Sequence, residues 1–179
     1  MLKNTENSYG TVAKFLHWII ALAIITLITV GFIMSAMDPT PEKYELYGMH
    51  KASGVVVLML ITLRLLWKFS NKAVQPPAGL PRLLILAAKA GHFLLYIFMI
   101  MMPVSGVLMS RFGGHDVNVF NLFVIPAAAE KTPQLAGLFH EIHVIGIWAF
   151  IAVIVLHFGA ALYHHFIRND NTLKRMMKG

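Results

Sequence analysis

The sequence predicts an all-α membrane protein, an up-and-down bundle of four transmembrane helices with both termini on the cytoplasmic side. Three observations predict it. Apolar residues make up 58% of the 179 residues and charged residues only 13%; a soluble domain carries roughly twice that charged share. Four stretches stay apolar for about 20 residues, the length that crosses a bilayer core. Lys and Arg fall unevenly between the segments that connect them.

The first helix is predicted over about 15–37, uncharged between Lys14 and Asp38. A signal-peptide apolar core is only about 7–15 residues long, so this segment reads as a retained helix. The second, over about 47–67, is interrupted only by His50, Lys51 and Arg64. The third covers about 90–110, between Lys89 and Arg111. The fourth covers about 142–167, between Glu141 and Arg168, and is long enough to tilt or protrude. Residues 1–179 thus read as one transmembrane domain. Asp170, Asn171 and Thr172 predict the start of a short interfacial helix ending near Met177, with its basic residues at anionic lipid.

Orientation follows from the cations, which accumulate on the cytoplasmic side of multi-pass proteins. Eleven Lys and Arg lie in the two termini and the second loop. Only Lys43, Lys51, Arg111 and Lys131 lie at the first and third loops. A net charge of +7 in such a chain points to topology and lipid contact, not to nucleic acid. Pro76, Pro77 and Pro81 punctuate the inner loop, and the outer loop from Phe112 to Gln134 is long enough to cap the bundle.

Cysteine is absent. That excludes disulfides, thiolate zinc sites, Cys-ligated iron–sulfur clusters and covalent c-type haem attachment. A metal would be held by His, Met or oxygen. Histidine is plentiful, and ionisable residues inside membrane helices are functional by default. His143 and His157 are 14 residues apart on the fourth helix. That step closes to within about 40° of whole turns and rises about 21 Å, so both rings face one side at different depths. Two haems stacked across a membrane need this arrangement, with one helix supplying an axial ligand to each. Two imidazoles per iron leave no open position, which suits electron transfer.

Partners follow by depth. His50 enters the second helix from outside, level with His143. His17 enters the first from inside, level with His157, and so does His92 on the third. Spacing separates His17 from His92 only slightly. His140 is a rival for His143, but its 17-residue offset from His157 puts it about 100° out of phase; it reads as an interfacial residue or a propionate contact. Arg64 follows His50 by 14 residues. It fits either an inner-haem propionate or a snorkelling cation at the span's end. Gly31, 14 after His17, and Gly106, 14 after His92, offer close approach to a flat ring, as do Gly54 and Gly146. Met34, Met59, Met99, Met101 and Met102 read as apolar packing.

These residues resemble the bacterial cytochrome b561 family over nearly the whole chain. The carrying motifs are His17-Trp18; Gly48-Met49-His50-Lys51 with Arg64 and Pro76-Pro77; Gly91-His92 and Met102-Pro103-Val104-Ser105-Gly106; and Leu156-His157 through His164-His165-Phe166, with Asp170-Asn171-Thr172-Leu173. The resemblance implies a four-helix bundle with two non-covalent, bis-His b-type haems. It implies His17, His50, His143 and His157 as iron ligands, favouring His17 over His92. It further implies an inner-membrane oxidoreductase that passes single electrons from an outer donor, superoxide in some members, to ubiquinone. The alternative is a haem-bearing membrane anchor passing electrons between a dehydrogenase or reductase partner and quinone. A His-lined metal or proton transporter without haem is a third class.

The outer rim carries net −2, which offers a superoxide anion no global attraction. Lys51 beside His50, with Arg111, forms either a local positive mouth or an ordinary solvated rim. Lys51, His92, His140, His164 and His165 are candidates for propionate, quinone or donor contacts.

Overall fold

The computed structural model describes residues 1–177. Four long helices carry the chain: α1 (Thr11–Ala36), α2 (Pro41–Phe69), α3 (Arg82–Phe112) and α4 (Pro133–Leu162). All four are long and apolar enough to cross a membrane. Each begins before the apolar run that predicts it, because a helix can start in headgroup and water once its first turn is capped. Thr40 Oγ1 accepts the Lys43 N–H at 3.4 Å ahead of Pro41, a residue pre-set for the first helical position. Leu84 and Ile85 N–H groups bond the Pro81 carbonyl at the start of α3, and Ala136 bonds Thr132 at the start of α4.

The chain divides into two compact units. One contains Met1–Ile19, Thr62–Phe98 and the chain from Ala149 onward; the other contains Ile20–Ile61 and Met99–Trp148. Each takes a part of all four long helices.

In the Ile20–Ile61/Met99–Trp148 unit, apolar packing is dense. Ile20, Met34, Ala52, Val57, Ile61 and Met102 are buried. Phe32 of α1 meets Trp148 of α4 with ring centres 5.4 Å apart, and Phe112 of α3 stacks on Phe139 of α4 at 5.9 Å. The loop between α3 and α4 adds an element that the apolar pattern does not predict. Strands β1 (Val117–Val119) and β2 (Phe123–Ile125) form an antiparallel hairpin with Val117 opposite Ile125. Its inward residues Val117 and Val119 are 1% exposed and pack with Val55, Val56 and Val107. The turn puts Phe120 and Asn121 in the left-handed region, at φ 51° and 60°.

In the other unit the N-terminal arm folds back on α1. The Met1 carbonyl accepts the Thr11 N–H at 3.0 Å, satisfying one free donor of the first helical turn. Residue 10 must be glycine here: a Cβ would stand 2.2 Å from the Leu2 carbonyl oxygen. Asn4 ties the arm to Asn71 and Lys72 after α2. At the far end of α4 the spiral widens into one π turn, Tyr163–Ile167, where Arg168 N–H bonds Tyr163 O five residues back at 3.0 Å. Asn169, at φ 52°, then turns the chain into α5 (Thr172–Met177), the short helix expected there. Trp18 of α1 donates its indole N–H to the Met176 carbonyl, and Arg175 donates to Gln75 O, so α5 is pinned beneath this unit.

Large apolar side chains such as Leu22, Ile25, Met59, Phe93, Ile145 and Leu156 lie on the helix exteriors. In water that surface would be untenable; in lipid it meets its own solvent.

Candidate functional site

Each unit gathers histidines from different helices. In the unit containing Met99–Trp148, His50 of α2 faces His143 of α4 with ring centres 6.4 Å apart. Ser105 of α3, 2% exposed, lies with its Oγ 3.0 Å from His143 Nδ1 and donates its own proton to the Met102 carbonyl at 2.9 Å. Pro103 and Gly106 bracket this contact. A Cβ at Gly106 would stand 3.3 Å from His143 Cε1, and one at Gly31 would stand 3.7 Å from His50 Cε1. Both glycines therefore attend the same histidine pair. Gly54 faces open space, whereas Gly146 is packed by Met101 and Met102, so it serves helix contact and makes no room for a ring. His50 Nδ1 is buried without a hydrogen-bond partner.

In the other unit His157 of α4 has two imidazole neighbours. His17 of α1 lies at 6.2 Å between ring centres and His92 of α3 at 5.5 Å. Arg64 reaches from α2 to place Nη2 3.0 Å from His17 Nδ1. Lys68 Nζ sits 4.5 Å above the Tyr96 ring, and the Arg64 guanidinium lies 6.0 Å from the same ring. The half-buried Tyr9 lies nearby; desolvation pushes its phenol pKa up, against the lowering pull of Arg64 and Arg175.

The remaining histidines sort by contact. His140 is exposed beside Glu141, with Nδ1 and Oε1 3.7 Å apart. His164 Nδ1 bonds the Asp170 carboxylate, and Thr172 Oγ1 lies 3.3 Å from the same nitrogen. His165 Nδ1 is buried without a partner. In the connections that flank α2 and α3, Arg111 donates to Pro126 O and Lys43 to Met37 O. Half-buried Lys51 directly follows His50. Arg111 is tied to the loop through its Nε and keeps its charge there.

The residue types and spacings fit haem. An imidazole nitrogen stands about 2 Å from a first-row metal and about 1.1 Å from its own ring centre, so two rings sharing one metal would have centres about 6.2 Å apart. The 6.4 Å and 6.2 Å pairs match that span, and the 5.5 Å pair falls short of it. Among the described residues no three His, Asp or Glu side chains form a metal cage. Two imidazoles would hold iron if a porphyrin supplied the other four nitrogens.

Comparison with known proteins decides the family. The family model described as prokaryotic cytochrome b561 matches residues 8–179. The chain belongs to the prokaryotic cytochrome b561 family. It is 32% identical to cytochrome b561 homolog 2 of Escherichia coli K12, over 97% of this chain and 93% of that protein. It is 31% identical to cytochrome b561 homolog 1 of the same organism, over 96% and 97%. The probable superoxide oxidase CybB of Yersinia pestis is 28% identical, again over 96% and 97%. This cytochrome b561 family member is a multi-pass bacterial membrane protein, a b-type cytochrome of electron transfer.

Haem iron, when bound, supplies reversible one-electron chemistry. The chain supplies ligands, orientation and charge. With a metal on His143 Nε2 the ring proton would sit on Nδ1, where the Ser105 hydroxyl, whose own proton goes to Met102 O, would accept it. Arg64 is the opposite case, since a guanidinium only donates. If His17 Nε2 binds iron, the ring proton sits on Nδ1, and Arg64 must turn to another acceptor. A haem brings such acceptors as its propionates.

Sequence reasoning passed over Ser105, Lys68, Tyr96 and Tyr9. Only Ser105 left a signal, a hydroxyl within an otherwise apolar span two residues after a proline. Its partner is 38 residues away in the chain.

Proposed function

We propose that this protein carries two b-type haems, one between His17 and His157 and one between His50 and His143. It moves single electrons from an outer donor to ubiquinone across the bacterial inner membrane. The observation that carries this reading is the pair of opposed imidazole couples, 6.2 Å and 6.4 Å between ring centres, each close to the span of one bis-His iron. Arg64 is assigned to a propionate of the haem at His17. Held by two imidazoles, each haem would supply one-electron, outer-sphere chemistry.

The donor is proposed to be superoxide. Each anion gives up one electron and leaves as dioxygen; two electrons and two protons convert one ubiquinone to ubiquinol. The resemblance to a probable superoxide oxidase supports this donor. So does the position of Lys51, which follows His50 and lies in the outer half of α2.

The deciding experiment uses the purified full chain. A reduced-minus-oxidised spectrum with iron analysis should give a b-type signal and two irons per chain. Superoxide generated in solution should reduce the haems, and added ubiquinone should reoxidise them. A colourless protein would end the haem reading. A red protein that superoxide does not reduce, purified together with a soluble dehydrogenase, would assign it the anchor role instead.

A further inference from the structure

We infer that Ser105 and Arg64 set the two haems at different potentials, lower at the His50–His143 pair and higher at the His17–His157 pair. The inference rests on the ligand pairs proposed above and adds a direction to the electron's path. At the first pair, Ser105 Oγ–H donates to Met102 O at 2.9 Å, which uses its one proton. Toward His143 the hydroxyl offers only a lone pair, at 3.0 Å from Nδ1. Ser105 is 2% exposed, so water does not compete for that lone pair.

An acceptor on Nδ1–H makes an imidazole a stronger donor through Nε2. That favours the more positive, oxidised iron and lowers its potential. His50, the other member of the pair, has a buried Nδ1 with no partner, so the push comes from one side only.

At the second pair the sign reverses. Arg64 stands 3.0 Å from His17 Nδ1 and carries a permanent charge. Lys68 lies over the Tyr96 ring that Arg64 also approaches. A cation beside an iron favours its reduced state. If Arg64 turns to a propionate, it cancels a negative charge near the same iron, which acts in the same direction. With both haems bound, an electron would be favoured at the His17–His157 pair over the His50–His143 pair, a one-electron exchange that would make or break no bond and require no proton. Ser105 and Arg64 are positioning residues in this scheme; neither touches the donor or quinone.

The test is an equilibrium redox titration of the purified holoprotein, followed optically and by the low-spin ferric signals in electron paramagnetic resonance. The signal missing from His143→Ala identifies the first haem. Ser105→Ala should raise that haem's potential alone, shifting the one-electron partition between the two haems about three- to tenfold; tenfold is 59 mV for one electron. Ser105→Thr, which keeps the hydroxyl, should restore the wild-type value. Arg64→Gln should lower the second haem by a similar factor, and Arg64→Lys should hold it near wild type. If Ser105→Ala fails to load haem, Ser105→Cys, a weaker acceptor, reads the same shift at smaller size. Two bound haems with unmoved potentials, or a shift of opposite sign, would overturn the inference while leaving the ligand pairs standing. A wild-type protein with fewer than two irons would instead overturn the ligand pairs.

Discussion

The His157 ring lies 6.2 Å from His17 and only 5.5 Å from His92. An iron held by His157 would take one of these neighbours as its second imidazole, and on the proposed assignment that is His17, at the separation with room for a metal. His17→Ala should therefore reduce haem content from two per chain to one, whereas His92→Ala should keep both. Pyridine haemochrome assay of the two purified variants checks this. Retention of two haems by His17→Ala together with loss from His92→Ala would reverse the assignment.

His143 and His140 make a second contrast on α4. His143 faces His50 and is bonded to Ser105, while His140 stands exposed next to Glu141. His143→Ala should lose the haem of that unit, and His140→Ala should retain it with an unshifted spectrum. The same assay reads both.

The four spans and the 14-residue step between His143 and His157 were legible because apolarity and helical phase are local properties of a chain. Element ends were not. The second helix begins at Pro41, about six residues before the predicted 47, and the fourth at Pro133, nine before 142. Hydropathy marks where hydrocarbon ends, while caps such as Thr40 decide where the helix ends. The hairpin was missed because strands of three residues carry almost no periodicity; Val117 and Val119 are its one alternating pair. The role of Ser105 was hidden for another reason, although its hydroxyl stood out in the span. Its meaning lies in a contact across 38 residues, and nothing in Met-Pro-Val-Ser-Gly announces an imidazole on another helix.

Lys51 is the cation next in sequence to the proposed ligand His50, while Arg111 and Lys43 donate to backbone carbonyls. If superoxide is the donor, Lys51→Gln should slow haem reduction about three- to tenfold at low salt and flatten its dependence on ionic strength, as loss of local steering does. Haem content should not change. Stopped-flow reduction at several salt concentrations measures both effects, and an unchanged rate would remove Lys51 from the donor's approach.

Asp170 gives the pH prediction. Burial alone would raise its carboxyl, but hydrogen bonds from Thr172 and His164 outweigh that and hold it at about 2, against an ordinary 3.8. A depressed folded value means that the ionised carboxylate stabilises this turn. The contribution is fully present above the ordinary value and is lost as pH falls from 3.8 toward 2. Hydrogen exchange across residues 170–177, corrected for intrinsic rates, should therefore accelerate over that interval. Asp170→Asn should remove the acid dependence, because amide oxygen can still accept the Thr172 N–H that Asp170 Oδ1 accepts at 2.9 Å. Asp170→Ala should lose the cap at every pH, at a local cost of about 1 kcal/mol, or about fivefold faster exchange in α5. Identical exchange in wild type and Asp170→Ala at neutral pH would show that α5 is held by Trp18 and Arg175 alone.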